Sequence, residues 1–292
     1  MAVNKIRNRK TNEIKEIKED KTTLFLYGNA IGRIFAKFLS LRFISIITGC
    51  LMNLSISKYI IPSFIKKNGI NMENYLDRSY SSFNDFFIRE INFKKRQFDK
   101  KENIFISPCD GKLTVYKIDE DSQFKIKNDY YQIKDLVNND KISKEYIDGY
   151  ALIFRLCVDD YHRYCYIDNG YQGDNHQIKG ELHAVRPIVL ETYNIYKRNS
   201  RVWTMLKTKN FGNIIQVEIG ALNVGKIHNH KNNNEFKKGE EKGYFKFGGS
   251  TIVLLIKENQ VIIDEDLINY TKDNVETIIK YGEKIGVKSI NK

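Results

Sequence analysis

The stretch Tyr244-Phe245-Lys246-Phe247-Gly248-Gly249-Ser250-Thr251 runs directly into the apolar run Ile252-Val253-Leu254-Leu255-Ile256. A short continuous run of branched apolar residues predicts a buried β-strand. The two glycines and two hydroxyl residues before it are typical of a hairpin turn, because glycine adopts unusual backbone angles and Ser and Thr hydrogen-bond locally. From the pattern alone, the turn is the simpler interpretation.

A second interpretation makes the peptide bond itself the reactive group. Gly248 and Gly249 have no Cβ, so a hydroxyl can approach the Gly249 carbonyl closely, and a strained turn can make that carbonyl more reactive. Ser250 Oγ is the adjacent nucleophile. It needs a base to take its proton and a donor to hold the oxyanion, supplied by the backbone or by Thr251.

The segment Gly249-Ser250-Thr251, after an aromatic-basic-aromatic run, resembles the processing site of the phosphatidylserine decarboxylase proenzymes. Four further stretches match that family in the expected order, and the likeness covers roughly residues 60–258. These stretches are Phe83-Asn84-Asp85-Phe86-Phe87-Ile88-Arg89-Glu90, Ser107-Pro108-Cys109-Asp110-Gly111-Lys112, Asp160-Tyr161-His162-Arg163 and Asn199-Ser200-Arg201-Val202. Ordered motifs are more specific than any single one, so the resemblance favours the reactive serine over the simple turn.

The resemblance implies an Asp–His–Ser relay for self-cleavage, in which Asp110 matches the family aspartate and Ser250 the family serine. The family commonly carries Asp-Tyr-His-Arg-x-His, whose second histidine is the relay base. Here His162 matches the first histidine and Cys165 stands at the second position. We expect His162 to be the base, with His183 and a Cys165 thiolate as alternatives. A free thiol has a pKa near 8.5, so Cys165 is a poor base unless that pKa is shifted.

The implied product of self-cleavage is a pyruvoyl group made from Ser250, with a β chain of residues 1–249 and an α chain of residues 250–292. By the same resemblance this carbonyl forms a Schiff base with the amine of phosphatidylserine, CO2 leaves, and phosphatidylethanolamine is released. No metal and no external cofactor are expected. Cys165 also raises the alternative of a homologue that no longer cleaves itself.

Composition describes a soluble globular protein, with 41% hydrophobic and 29% charged residues in 292. The net charge of +12 favours anionic partners, either nucleic acid or an acidic lipid surface. The chain carries no recognisable nucleic-acid-binding motif, so a basic nucleic-acid-binding protein is the weaker, non-enzymatic alternative. A pyruvoyl decarboxylase of another amino-lipid or of an amino acid is the closer one.

The four cysteines are widely spaced and form no Cys-x-x-Cys pair, which indicates a reducing compartment without disulfides. His162 and Cys165 have a spacing seen in metal sites, but no second ligand pair stands near them in the sequence, so no metal is predicted.

The predicted fold class is α+β, an N-terminal helical membrane-associating region followed by a β-rich catalytic domain. Residues 1–23 are predicted to be a mobile charged arm, 24–100 the helical region and 101–292 the self-processing domain. Within the last, residues 150–156 are expected to form a buried strand that delivers the segment 159–166, and 274–282 a helix.

Residues 24–60 have two interpretations. Their helices either pack on the core or lay one apolar face on a membrane, with Arg33, Lys37, Arg42 and Lys58 near lipid phosphates. The apolar segment 43–54 is too short to cross a bilayer. Because the implied substrate is a lipid, we expect a peripheral protein on the cytoplasmic side of the cell membrane, at an anionic surface. The oligomeric state is left open, a homo-oligomer included.

Overall fold

The continuous and alternating apolar runs after residue 100 fold mainly into strands, and the segment before it into helices. The computed structural model describes residues 5–17, 21–39, 41–126, 129–182, 195–221, 227–246 and 248–290. The strands are β1 (Lys5–Asn8), β2 (Ile14–Glu16), β3 (Ile104–Ile106), β4 (Gly111–Lys117), β5 (Gln123–Ile126), β6 (Asp129–Gln132), β7 (Tyr150–Leu156), β8 (Arg163–Cys165), β9 (Gly170–Ile178), β10 (Arg201–Thr208), β11 (Asn213–Gly220), β12 (Ile227–Asn229), β13 (Asn234–Phe236), β14 (Glu241–Phe245), β15 (Ser250–Ile256), β16 (Val261–Ile263), β17 (Val275–Ile279) and β18 (Lys284–Lys288). The α-helices are α1 (Lys21–Gly28), α2 (Ala30–Leu39), α3 (Arg42–Asn53), α4 (Ile61–Asn68), α5 (Phe83–Phe87), α6 (Ile133–Val137), α7 (Asp140–Lys144), α8 (Ile195–Arg198) and α9 (Glu265–Lys272).

A large sheet organises the described residues, with strand order β13-β9-β10-β11-β15-β7-β4-β17-β1-β2. Its pairs are antiparallel except for β1 with β17. The run after Ser250 is strand β15 at the centre of this sheet, and every residue of it is buried. The predicted strand 150–156 is confirmed as β7, which lies between β15 and β4. The mixed α+β class is therefore confirmed.

A smaller sheet, β12-β14-β8, covers the face of the large sheet that carries Ser250. Ser250 pairs with Gly220 and Ile252 with Glu218, and side chains two residues apart on a strand share a face. Glu218 therefore lies on the Ser250 face. From the small sheet, Lys242 Nζ donates to Glu218 Oε1 at 2.7 Å and Asn229 Nδ2 to Glu218 Oε2 at 3.3 Å.

Two expectations about local structure are wrong. Within the predicted mobile arm 1–23, strands β1 and β2 form a hairpin on the edge of the large sheet, and Arg9 binds Asp264 at 2.8 Å and Asp266 at 2.9 Å. Residues 1–4 and 18–20 lie outside the described part. Residues 274–282, predicted to be helical, contain strand β17 instead. Its burial alternates residue by residue, which is the period of a strand, and the helix α9 precedes it.

The N-terminal helices turn large apolar side chains outward. Helix α2 buries its small residues Gly32 and Ala36, whereas Ile34 is 71% exposed. We call the exposed large apolar residues of α2, α3 and the turn that follows them the apolar face. Its members are Ile31, Ile34, Phe35, Phe38, Phe43, Ile46, Ile47, Leu51, Leu54, Ile56 and Tyr59. None of the helices in the described ranges is long and apolar enough to span a bilayer.

Helix α5 packs the N-terminal helical region against the rest of the protein. Ser82 caps its N-terminus by accepting from Asp85 N at 3.2 Å, as Ser, Thr, Asp and Asn commonly do. Phe83, Phe86 and Phe87 are all buried. The motif that contains them therefore has a packing role and also brings Arg89, just beyond the helix, into the interior.

The buried ion pair Lys242–Glu218 offers a test of how the two sheets are held together. Both side chains are fully buried, and burial lowers the pKa of Lys242 against the opposing effect of Glu218. In a Ser250→Ala background, we expect Lys242→Met to lower the free energy of unfolding by about 3–5 kcal/mol, because it strands a buried carboxylate. Urea denaturation measures this.

The double variant Lys242→Met/Glu218→Gln should recover most of that loss, since no unpaired charge remains. Lys257→Met is the matched control, because Lys257 binds Glu145 at the surface and such pairs contribute about 0–1 kcal/mol. A loss below about 1 kcal/mol for Lys242→Met would contradict the prediction.

Candidate active site

Ser250 is the first residue of β15, in the middle of the large sheet. It pairs with Gly220 on one side and with Leu156 of β7 on the other. Its side chain is fully buried, and Ser250 Oγ has no hydrogen-bond partner among the described residues. The preceding turn requires a glycine, because Gly248 has φ of 136°, a conformation that L side chains rarely adopt. Ser250 thus directly follows a glycine turn, and its hydroxyl is unpaired in the described part of the chain.

Asp110 and His162 reach the same end of the sheet by way of the neighbouring strands. Lys112 of β4 pairs with Arg155, so Gly111 falls opposite Leu156, the residue that Ser250 also faces. With strands about 4.8 Å apart, the backbones of Gly111 and Ser250 are about 10 Å apart, with β7 between them. Asp110 directly precedes β4, and His162 follows the end of β7.

His162 is held in one tautomer by the backbone. Its Nδ1 lies 3.0 Å from the carbonyl oxygen of Asp160, which can only accept, so Nδ1 carries the proton and Nε2 has a free lone pair. Nε2 is buried, and the part of the chain that the structure describes offers it no hydrogen-bond partner. The ring packs against Phe87 with centroids 4.2 Å apart. This is the form of imidazole that accepts a proton.

Burial is the main cause that lowers the pKa of His162, to about 4, and the charges of Arg89 and Lys112 add to it. The Asp160 carboxylate opposes the shift. His162 is therefore neutral at pH 7 and can act as a base there.

Asp160 is itself fixed by Lys112. Lys112 Nζ lies 2.5 Å from Asp160 Oδ2, and the backbone N–H of Cys157 donates to the same oxygen at 2.8 Å. Burial disfavours the charge on each partner, but their mutual attraction outweighs it, lowering the pKa of Asp160 and raising that of Lys112. The pair holds the turn that presents the Asp160 carbonyl to His162.

The Asp110 carboxylate is occupied by three other donors. Arg96 Nη2 lies 2.5 Å from Oδ1, Lys280 Nζ 3.2 Å from Oδ2, and the Tyr281 N–H donates to Oδ1 at 2.8 Å. Burial alone would raise the pKa of Asp110, but Lys280 and Arg96 outweigh it and hold that pKa at about 2. Asp110 is thus ionised and close to the site. In the described residues, the Asp160 carbonyl rather than Asp110 orients His162.

The structure bears differently on the two alternative bases, Cys165 and His183. Cys165 is fully buried, and burial raises the pKa of its thiol to about 12, which opposes a thiolate at neutral pH. His183 lies outside the described residues. Of the other histidines, His176 stacks on Trp203 with ring centroids 4.0 Å apart, and His230 Nε2 lies 2.6 Å from Glu241.

The Thr251 hydroxyl is badly placed to assist Ser250. Adjacent residues of a strand face opposite sides of the sheet, so Thr251 shares its face with Arg155 and Lys112, not with Ser250. Of the two candidate oxyanion donors, backbone N–H groups are therefore favoured over the Thr251 hydroxyl.

The arrangement fits acyl transfer followed by proton transfer in a buried site. It contains a buried hydroxyl after a glycine turn and a neutral imidazole with a free nitrogen. No hydrogen bond joins Ser250 Oγ to His162 Nε2, since neither atom has a partner. Such hydrogen bonds are often absent in resting enzymes and form as the reaction begins.

Sequence reasoning missed four charged residues around the site. Lys112 and Asp160 lie inside matched motifs, but their pairing joins positions 48 residues apart, so neither motif alone indicated it. Arg96 lies outside the matched motifs and is mostly buried against Asp110. Nothing in the local sequence around Lys280 indicated a role.

Comparison with known proteins gives matches over most of the chain. Residues 83–287 match the family model described as phosphatidylserine decarboxylase. The chain is 50% identical over 263 residues to phosphatidylserine decarboxylase proenzyme 2 of Clostridium acetobutylicum, covering 90% of each chain. It is 39% identical to the phosphatidylserine decarboxylase proenzyme of Clostridium botulinum Eklund 17B, over 97% of this chain and 99% of that one. The proenzyme of Clostridium tetani is 38% identical over 99% of each chain.

Proposed function

Because this chain belongs to the phosphatidylserine decarboxylase proenzyme family, we propose that it makes its reactive carbonyl from Ser250 by cleaving its own Gly249–Ser250 bond. The protein is a carboxy-lyase that converts phosphatidylserine to phosphatidylethanolamine and CO2. The observation that carries the proposal is the unpaired, buried Ser250 Oγ at the end of a turn that requires glycine.

Self-cleavage begins at the Ser250 hydroxyl. His162 Nε2 takes the proton as Oγ attacks the Gly249 carbonyl carbon, and the amide becomes an ester with the Ser250 nitrogen released as an amine. Loss of the Ser250 Cα proton expels the Gly249 carboxylate and leaves dehydroalanine. Tautomerisation and addition of water release ammonia and leave a pyruvoyl group. Gly249 then ends the β chain, and residue 250 begins the α chain.

The two chains stay together because the cleaved bond lies at the start of β15, a central strand of a sheet that both chains share. After cleavage, β15 still lies between β11 and β7, which belong to the other chain. The new N-terminus of the α chain is therefore held at the end of a fully buried strand.

The residues fit the pyruvoyl group, since position 250 already lies in a closed site beside strands that exclude water. The group supplies an electron-accepting carbonyl for the loss of CO2. His162 follows the end of β7, the strand that pairs with Ser250, and can move the proton that decarboxylation requires. Its contact with the Asp160 carbonyl orients it for this. Burial of the site protects the reactive carbonyl from side reactions.

The substrate is a lipid, and we propose that the apolar face binds the membrane that contains it. Large apolar side chains are costly to leave in water, and a contiguous exposed group of them marks an interaction surface. Arg33, Lys37 and Lys58 are exposed on the same elements and suit anionic headgroups. The four cysteines are free, in keeping with the cytoplasmic side of the cell membrane. The protein would then be peripheral.

Vesicle binding tests this surface. Changing both Ile34 and Phe38 to Asp removes two of its large exposed side chains. Each contributes about 1.5–3 kcal/mol when buried, so partitioning into vesicles that contain anionic lipid should fall by about 100-fold or more. Co-sedimentation measures the partitioning.

Ile262→Asp is the control, because Ile262 is also apolar and 54% exposed but lies on β16, outside the apolar face. Activity on a dispersed short-chain substrate should be retained in all variants. Equal vesicle binding by the double variant and the unchanged protein would reject the apolar face as the docking surface.

A further inference from the structure

Arg89 is a fully buried arginine without a carboxylate partner in the described part of the chain. Its guanidinium packs against the rings of Tyr75 and Phe86, at 4.4 and 5.1 Å from their centroids. Nη2 donates to the carbonyls of Asp159 at 3.1 Å and Asp160 at 3.3 Å. Nε and Nη1 are buried and meet no acceptor in the described residues. Three N–H bonds are therefore unused, one on Nε and two on Nη1.

This arrangement differs from that of the other buried cations described. Lys112, Arg155 and Lys242 each bind a carboxylate. Arg201 also lacks one, but each of its three nitrogens donates to a backbone carbonyl. A buried charge with unpaired donors is costly unless an anion binds it during function.

Arg89 lies at the catalytic end of the sheet. The Asp160 carbonyl oxygen that accepts from Arg89 Nη2 is the same oxygen that contacts His162 Nδ1. Phe87, two residues before Arg89, packs against the His162 ring. A substrate that reaches His162 is therefore next to the guanidinium.

We propose that Arg89 binds the anionic headgroup of the phospholipid substrate through Nε and Nη1. This role rests on the proposed chemistry at Ser250 and His162. All three residues are buried in the uncleaved chain, so the proposal concerns the cleaved enzyme. Two oxyanions of the substrate suit a guanidinium, the phosphodiester and the serine carboxylate. The rings of Tyr75 and Phe86 hold the guanidinium in place without neutralising it.

The test uses Arg89→Lys and Arg89→Met in the full-length protein, with cleavage first measured by mass spectrometry. A lysine ammonium can still donate to the carbonyls of Asp159 and Asp160, so Arg89→Lys should cleave. On the cleaved enzyme in mixed micelles, KM for phosphatidylserine should rise about tenfold or more, as expected for a lost charged hydrogen bond.

Phosphatidylethanolamine, added as an inhibitor, distinguishes the two oxyanions because it keeps the phosphodiester and lacks the carboxylate. Weaker inhibition together with a higher KM assigns the phosphodiester to Arg89. A higher KM with unchanged inhibition assigns the carboxylate. Arg78→Met is the matched control, because Arg78 stacks on Tyr80 in the same region but is already paired with Asp85.

Unchanged KM and unchanged inhibition in a cleaved Arg89 variant would overturn the proposal. So would failure of both variants to cleave, because Arg89 would then serve only to hold residues 159–160. An unchanged protein that stays intact at Gly249–Ser250 would instead overturn the proposed function itself.

Discussion

Ser250→Ala will leave the chain as one 292-residue polypeptide with no detectable decarboxylase activity. Alanine has no hydroxyl to attack the Gly249 carbonyl, so neither the ester nor the dehydroalanine that precedes the pyruvoyl group can form. The unchanged protein should yield fragments of 249 residues and of 43 residues, the latter being positions 250–292. Denaturing electrophoresis and intact-mass measurement detect both, and the α chain should begin with a blocked N-terminus.

The neighbouring hydroxyl provides the comparison. Thr251 Oγ1 is also buried and unpaired, but it lies on the opposite face of β15, so Thr251→Val should still cleave. Cleavage of Ser250→Ala at position 249, or an unchanged protein that stays intact with full activity, would contradict the assignment.

His162→Gln will slow self-cleavage by about 10²–10⁴-fold, the usual contribution of a general base. Glutamine keeps a polar side chain of similar size but cannot accept a proton at neutral pH. The rate is measured from the appearance of the 43-residue fragment after cell-free synthesis. His176→Gln is the matched control, because His176 stacks on Trp203 and contacts no residue of the site.

The pH dependence of cleavage distinguishes His162 from an ordinary histidine. The base must be neutral, and burial holds the pKa of His162 at about 4. The rate should therefore be constant above about pH 5 and fall as pH drops through about 4, rather than near 6.5. Circular dichroism at each pH separates loss of the base from unfolding.

His183 is the alternative base, and His183→Gln tests it directly. If His183→Gln stops cleavage while His162→Gln cleaves normally, the base is His183. A midpoint near pH 6.5 in the unchanged protein would likewise argue against buried His162.

The strands at the centre of the large sheet were predictable, because continuous apolar runs such as 150–156 and 252–256 can bury both faces only inside a sheet. The N-terminal hairpin was not predictable. Its charged residues resemble a solvated arm, and they become ordered because Arg9 meets Asp264 and Asp266, more than 250 positions away. Strand β17 is similarly defined by its pairing with β1 and β4.

The candidate site was likewise predictable from the sequence only in part. Short motifs in the sequence pointed to Asp110, His162 and Ser250, because each motif consists of residues adjacent in the chain. The sequence showed that Cys165 replaces the second histidine of the motif, but it did not show how this replacement affects the choice of base. Burial, which only the tertiary structure reveals, raises the pKa of the Cys165 thiol and lowers the pKa of the His162 imidazole.

The amino-acid sequence alone determined the family, the bond expected to break and the strand that holds the new terminus, since each depends on residues adjacent in the chain. The tertiary structure decided which nitrogen of His162 is free, what neutralises Asp110 and why Arg89 has unused donors. Those properties depend on contacts between distant segments and on the exclusion of water, and both arise only when the sheets close over the site.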